Sequence, residues 1–321
     1  MLDLLGRDID YMRISITDRC NLRCKYCMPE DGVRLISHGD VLSYEEILRL
    51  CGAAVKAGIR NFKVTGGEPL VRRGCMRFLS ELKSAPGIEN VTLTTNGVLL
   101  EPHAGDLAKM KLDGVNISLD SLRADTYMQI TGRDGFPAVW RSLNKAVEAG
   151  LRVKINFVPL AGQNDEEILP VARLAESLPV DVRFIEFMPA TGAGMGFERV
   201  DGAVILERLL EAYPDLAQDE RRRGFGPARY FKSSKMRGSV GLISAVGDCF
   251  CPDCNRVRLT SDGFLKLCLF HDDGLDLRRM LRSGADDNEI EAAFAGAVRR
   301  KPERYPTGPD TGIKNMSRIG G

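Results

Sequence analysis

Cys20, Cys24 and Cys27 follow a Cys-x3-Cys-x2-Cys spacing, which delivers three thiolates from one short loop. Three thiolates around a four-iron cubane leave one iron without a protein ligand, unlike the four-cysteine arrangement of an electron carrier. An iron open in this way can bind a small molecule, as the open position of catalytic zinc does. A zinc knuckle or a redox pair is the alternative reading; zinc calls for a fourth Cys or His nearby, and His38 is the one candidate. A second set, Cys251, Cys254 and Cys268, again offers three thiols. By spacing alone it is ambiguous, because Cys249 could complete a zinc site. Arg256 and Arg258 alternate on a strand-like run beside it and suit an anionic ligand held by charge-assisted, bidentate contacts.

The elements that must carry these loops are legible as alternating patterns. Short runs rich in β-branched residues predict strands at Tyr11–Thr17, Asn61–Thr65, Asn90–Thr95, Gly114–Leu119, Leu151–Pro159 and Val180–Met188. Helical periodicity falls between them, at Tyr44–Ala57, Arg73–Lys83, Pro102–Met110, Pro137–Ala149 and Glu166–Ser177. The first helix opens on the capping box Ser43–Glu46 and stops at Gly58. Repeated βα units imply a parallel sheet, either open and doubly wound or closed toward a barrel. One strand face is repeatedly polar: Arg13, Ser15 and Thr17, then Lys63 and Thr65, then Asn116, Ser118 and Asp120, then Lys154 and Asn156. A sheet covered on both sides should be apolar on both. The alternation therefore favours a curved α/β sheet with helices outside and a wet, functional lumen. After Met188 the rhythm changes: a glycine-rich stretch, a helix at Gly202–Tyr213, an arginine run at Arg221–Arg223 read as solvated, and short strands around the second cysteine set. Helices at Arg278–Gly284 and Asn288–Val298 precede an irregular tail.

Composition bounds the function class. The 321 residues carry 45 Lys+Arg against 44 Asp+Glu, a net charge of +1, so there is no global field to attract nucleic acid or an anionic membrane. No apolar run approaches the ~20 residues of a spanning helix, and the stretch from Met1 to Asp8 offers no secretory signal. Nine cysteines, an odd number, suit metal chemistry in a cytoplasmic chain better than a disulfide framework. Secreted, membrane-spanning, fibrous and disordered classes are excluded.

The Cys20–Cys27 loop, together with Thr65-Gly66-Gly67-Glu68-Pro69 at the end of the second strand, resembles the signature of the radical S-adenosylmethionine (SAM) superfamily. Tyr26, Met28-Pro29, Arg183-Phe-Ile-Glu-Phe-Met188, Cys254-Asn-Arg-Val-Arg-Leu259 and the terminal Met316-Ser-Arg-Ile-Gly320-Gly321 narrow the likeness. In that order they resemble the GTP 3′,8-cyclase family of molybdenum cofactor biosynthesis, over nearly the whole chain.

That resemblance implies a partial (β/α)6 TIM-type barrel over residues 1–190, with chemistry at the C-terminal strand ends. It implies an auxiliary-cluster domain over 191–300 and a tail over 301–321. Cys20, Cys24 and Cys27 would hold a 4Fe–4S cluster whose free iron chelates SAM; Tyr26, Gly67, Ser118 and Met188 fall at SAM contacts. Cys251, Cys254 and Cys268 would hold a second 4Fe–4S cluster facing the guanine. Arg13, Lys63, Thr94, Lys154, Arg256, Val257 and Arg258 fall at GTP contacts. Lys63 stands where the family often has Arg, which keeps the charge but loses the planar fork. Cys249, Cys51 and Cys75 are left as packing or bystander thiols. The implied reaction is a 5′-deoxyadenosyl radical abstracting the ribose 3′ hydrogen of GTP, then closure onto C8 of the base. No general acid is evident; the tail glycines Gly320 and Gly321 are the catalytic candidates, expected to thread into the site. The implied partners are a flavodoxin- or ferredoxin-type one-electron reductant, the next enzyme of the pathway and a second copy in a homodimer. Two competing readings remain: a radical SAM peptide-modifying enzyme with an auxiliary cluster, and an iron–sulfur regulator of nucleic acid. The second would need neither Gly66-Gly67-Glu68 nor a polar lumen.

Overall fold

The computed structural model describes residues 1–29, 33–188, 196–221, 223–244, 250–304 and 316–319. The barrel strands are β1 (Tyr11–Ser15), β2 (Asn61–Thr65), β3 (Asn90–Thr95), β4 (Gly114–Ser118), β5 (Val153–Phe157) and, beyond a two-residue β6 (Leu160–Ala161), β7 (Asp181–Ile185). β1 to β5 and β7 pair in parallel, in that order. The helices between them are α1 (Tyr44–Lys56), α2 (Cys75–Ser84), α3 (Ala104–Lys109), α4 (Ala124–Thr131), α5 (Phe136–Glu148), α6 (Ile168–Ala172) and α7 (Leu174–Ser177). This is the partial βα barrel that the resemblance implied, and it agrees with the curved sheet that the polar strand faces favoured.

The apolar strand residues pack outward against the helices. Met12, Ile14, Phe62, Val64, Leu93, Ile117 and Ile155 form one core with Leu50 of α1, Phe78 and Leu82 of α2, and Leu143 of α5. Each large side chain so buried contributes roughly 1.5–3 kcal/mol. Cys51 and Cys75 lie in this core, as expected of packing thiols. The capping box forms as read: Ser43 accepts from the Glu46 amide, and Glu46 accepts from the Ser43 amide.

Three local expectations need correction. Helix α2 starts at Cys75 rather than Arg73, because Gly74 takes a left-handed φ of 84° and so begins the helix after itself. The single helix expected at Glu166–Ser177 is two short ones joined at Arg173, the first containing Pro170, which has no amide hydrogen to donate. Helix α4 escaped the periodicity reading because its eight residues mix polar and apolar types over barely two turns.

The C-terminal half adds β8 (Glu198–Arg199), α8 (Gly202–Ala212), β9 (Ala217–Gln218), β10 (Arg229–Lys232), β11 (Ser239–Ile243), β12 (Arg256–Leu259), β13 (Phe264–Lys266) and β14 (Gly274–Asp276). It ends with α9 (Leu277–Arg282), α10 (Asp287–Arg299) and α11 (Met316–Ile319). β8 pairs only with β6. The remaining strands join the barrel sheet at both edges: β12 runs parallel to β1, and β11 parallel to β7. The antiparallel pairs β12–β13–β14 and β11–β10–β9 then finish the two edges. Among the described residues no helix is long and apolar enough to cross a membrane.

Candidate active site

The first cysteine loop leaves the C-terminal end of β1 and is held from three sides. The β2 loop pairs with it, Gly67 N donating to Thr17 O at 2.7 Å and Glu68 N to Arg19 O at 2.8 Å. Two glycines make that approach possible: a Cβ on Gly66 would lie 2.6 Å from Thr17 O, and one on Gly67 2.4 Å from Arg19 O. The C-terminal carbonyls of α4 hold the far side, Thr131 O accepting from Arg23 N at 2.8 Å and Ile130 O from Lys25 N at 3.0 Å. Within the loop, the Cys24 carbonyl accepts from the amides of Cys27 and Met28, and the Asn96 amide nitrogen lies 3.7 Å from Cys20 Sγ. Glu68 does not enter the cavity. It bridges β2 to the end of β3, accepting from Thr95 Oγ1 at 2.8 Å and Asn96 N at 2.7 Å, and burial raises it to about 7.

Cys20, Cys24 and Cys27 converge on one cavity and are poor thiolates without a metal. Burial raises all three, and the neighbouring thiols with Asp120 raise Cys24 and Cys27 further. Among the described residues no three His, Cys, Asp or Glu side chains converge on a single-ion site. A cubane spaces its ligands more widely than one zinc ion does, so this all-sulfur donor set fits a cluster, whose iron would supply the positive charge that stabilises the thiolates. Tyr26 donates to Asp120 Oδ2 at 2.5 Å in the cavity wall, and burial pushes Asp120 up to about 6. Gly67, Ser118 and Met188 line the same region.

The second triad lies at the opposite end of the strands. Cys251 and Cys254 precede β12, Cys268 follows β13, and all three line the cavity that holds the first triad. Burial raises the Cys254 thiol, but Arg256 and Lys301 outweigh it and pull the thiol down to about 7.

Between the triads the lumen is cationic. Arg13 of β1 is in register with Lys63 of β2 on one side and Arg258 of β12 on the other. Arg256 and Arg183 complete the group, and Thr94 lines its wall. Burial, then the surrounding guanidinium groups, lowers Arg13 to about 10 and takes Lys63 and Arg258 well below their ordinary ranges. So many buried cations call for a polyanion.

Most of the predicted residues meet here, with informative exceptions. Lys154 is outside the cavity lining. Its ammonium donates to Arg223 O and to Tyr230 Oη at 2.9 Å, and it lies 3.8 Å from Asp181. Burial first, then Arg183, lowers it to about 7. Val257 turns into the apolar core, so only its backbone faces the strand partners of Arg256 and Arg258. Arg223 is not solvated, as the arginine run suggested, but half-buried, pairing with Asp181 at 2.8 Å and with Asp219. Its neighbour Arg221 is exposed and also pairs with Asp219. Gly320, Gly321, Cys249, Arg222 and the Gly192–Gly194 stretch lie outside the described residues. The last described turn, α11, puts Met316 in the cavity wall and Ile319 O 3.5 Å from Arg258 Nη1.

Sequence reasoning missed Arg183 and Lys301 as cavity residues, whereas Asp120, read on the polar strand face, does line the cavity. Arg183 alternates with Val182 and Phe184, and its guanidinium donates to Asn156 Oδ1 at 2.9 and 2.5 Å. The same two-residue period that marked the other strands could have found it.

Residues 14–175 match the family described as the Radical SAM superfamily, and 180–307 match the one described as Molybdenum Cofactor Synthesis C. The GTP 3′,8-cyclase of Moorella thermoacetica is 45% identical over 329 residues, covering 100% of both chains. That of Heliobacterium modesticaldum is 44% identical, again covering 100% of both. In three dimensions the chain is similar to Streptococcus suis SuiB bound to S-adenosylmethionine. The TM-score is 0.66 at 16% identity, covering 92% of this chain and 68% of that one, a likeness of fold alone.

Proposed function

This chain belongs to the GTP 3′,8-cyclase family of the radical SAM superfamily, and from that membership we infer that it cyclises GTP to 3′,8-cyclo-7,8-dihydro-GTP, an early step of molybdenum cofactor biosynthesis. The observation that carries the reading is one lumen with a cysteine triad at each end and a cationic belt between them. Neither a peptide maturase nor a nucleic-acid regulator accounts for that belt. When bound, the first 4Fe–4S cluster would supply the electron and SAM the 5′-deoxyadenosyl group for hydrogen abstraction at the ribose 3′ carbon, while the second cluster would hold the base.

The residues do the holding and excluding. Cys20, Cys24 and Cys27 would ligate the first cluster, with Tyr26, Gly67, Ser118 and Met188 around SAM. Arg13, Lys63, Thr94, Arg256 and Arg258 would bind the triphosphate and base, with the Val257 backbone between the last two. Lys154 would need to leave Tyr230 and the Arg223 carbonyl to reach the nucleotide. Cys251, Cys254 and Cys268 would ligate the second cluster and orient the guanine. Residues 1–190 thus carry the SAM half, 191–300 the second cluster, and 301–321 the closing tail with Gly320 and Gly321. A flavodoxin- or ferredoxin-type donor, hand-over to the next enzyme, a homodimer and a cytoplasmic site belong to the same proposal.

The test is anaerobic reconstitution with SAM, GTP and dithionite. 5′-Deoxyadenosine should form together with a cyclised nucleotide; deoxyadenosine that forms equally without GTP removes GTP as the substrate. Iron should number roughly eight per chain and fall by about half in Cys251→Ser; four irons in the intact protein would sink the two-cluster reading.

Buried lysines add a pH signature. Burial lowers Lys154 to about 7 and Lys63 well below its ordinary range, so at pH 8 the free site holds fewer than its full complement of protons. A triphosphate raises Lys63 back up, and Lys154 with it once that ammonium has left Tyr230 and the Arg223 carbonyl. Binding at pH 8 therefore takes up protons, and affinity falls as pH rises above about 7. Calorimetry in two buffers of different ionisation enthalpy reads the uptake directly; a binding heat independent of buffer excludes it.

A further inference from the structure

Arg7 lies outside the lumen, yet every donor of its guanidinium is used. Nε donates to Asp3 Oδ2 at 2.6 Å. Nη1 donates to Cys251 O at 3.0 Å and Glu303 O at 3.2 Å. Nη2 donates to Lys301 O at 3.0 Å and Pro302 O at 2.8 Å. Five N–H groups in a rigid fork thus meet five acceptors, four of them backbone carbonyls from two segments far apart in sequence. Both partners are buried, and Asp3 also accepts from the amides of Leu5 and Arg7, so the N-terminal turn arrives pre-formed.

What the fork grips is the second triad and the start of the last segment. The Cys251 carbonyl also accepts from Cys254 N at 3.2 Å, so one oxygen ties two of the three thiol-bearing residues to Arg7. Residue 301 supplies the third: Lys301, buried, donates from Nζ to Leu267 O at 2.5 Å, the carbonyl next to Cys268. Neither 250–255 nor 301–304 belongs to a helix or strand. The guanidinium therefore provides the order that secondary structure does not.

We propose that Arg7 is the positioning residue of the second cysteine triad, locking the Cys251–Cys254 turn to residues 301–303 and, through Lys301, to Cys268. The proposal rests on that triad holding a cluster. Arg7→Lys keeps the charge and loses the fork, since an ammonium is a point donor. Loss of an outer partner of a metal ligand costs about 10- to 100-fold in metal affinity.

The experiment is chelator competition on the anaerobically reconstituted full chain, followed by iron content and the electron paramagnetic resonance signal of each cluster. Arg7→Lys should release the second cluster's iron at about 10- to 100-fold less chelator. The first cluster's iron and paramagnetic signal should be retained. Equal chelator resistance in Arg7→Lys and the parent overturns the proposal. If Arg7→Lys fails to fold, Asp3→Asn, which releases the Nε anchor, decides: selective loss from the second site sustains the proposal, and equal loss from both sites overturns it. Cys251→Ser is the separate control. If it leaves iron unchanged, the two-cluster reading fails, and the clamp with it.

Discussion

Gly67→Ala will give a folded protein that no longer cleaves SAM. The new methyl would sit 2.4 Å from Arg19 O and 2.9 Å from Asp18 O, both backbone atoms that cannot rotate away. Relief requires the β2 loop to part from the cysteine loop, breaking the Gly67 N to Thr17 O and Glu68 N to Arg19 O bonds. That displaces Cys20 and Cys24 relative to the wall proposed to hold SAM. Misplacement of reacting groups by about 1 Å costs roughly 100-fold in rate, so deoxyadenosine formation should fall at least that far. Gly105→Ala is the control. It lies in α3 with nothing within 4 Å of the new Cβ, so activity stays and stability rises by about 0.5–1 kcal/mol. A Gly67→Ala enzyme that cleaves SAM at the parent rate would show that the loop contact is not needed.

Arg13→Met is the second large effect, and it has two signs. Arg13 is flanked by Lys63 and Arg258 across adjacent strands, three cations in a row. Like charges directly opposite each other in a sheet destabilise it. Removing the middle one relieves both repulsions and a buried charge, so the metal-free, nucleotide-free protein should melt about 2 °C higher. GTP binding should weaken by roughly 100-fold, about 2–3 kcal/mol for a lost charged hydrogen bond. Equilibrium dialysis with GTP and a thermal melt read the two halves separately. Unchanged affinity would remove Arg13 from the substrate site. A lower melting temperature would mean that its contacts in the free protein outweigh the repulsion. Sites built to bind a polyanion commonly carry this kind of strain when empty.

Much of the molecule was legible beforehand because its signals are local. Arg13, Lys63 and Lys154 alternate with Met12, Ile14, Val64 and Ile155, and a period of two fixes which face each side chain takes wherever the strand pairs. The same rule places Val257 in the core between Arg256 and Arg258. The first triad was equally plain, since one loop of eight residues brings its three thiols together. Ser43 and Glu46 announced the start of α1 by a contact only three residues long.

What the chain could not announce depends on separations of tens to hundreds of residues. Periodicity marks β11 and β12 as strands, but nothing local says that they would flank β7 and β1 and so bring Arg256 and Arg258 level with Arg13. Helix α4 is too short to show a face, yet its carbonyls hold the first cysteine loop. Lys154 carries the right charge on the right face, but packing against Tyr230 and Arg223 decides where its ammonium goes. Arg7 stands in a terminal stretch to which the sequence assigned no role, and only folding brings Cys251 and residues 301–303 to its fork. Sequence alone determined the thiol spacing, the polar strand faces and the likeness to a family, because each depends on neighbours a few residues away. The tertiary structure alone decided that two cysteine triads and six described cations share one lumen, because strand order and long-range hydrogen bonds set that meeting.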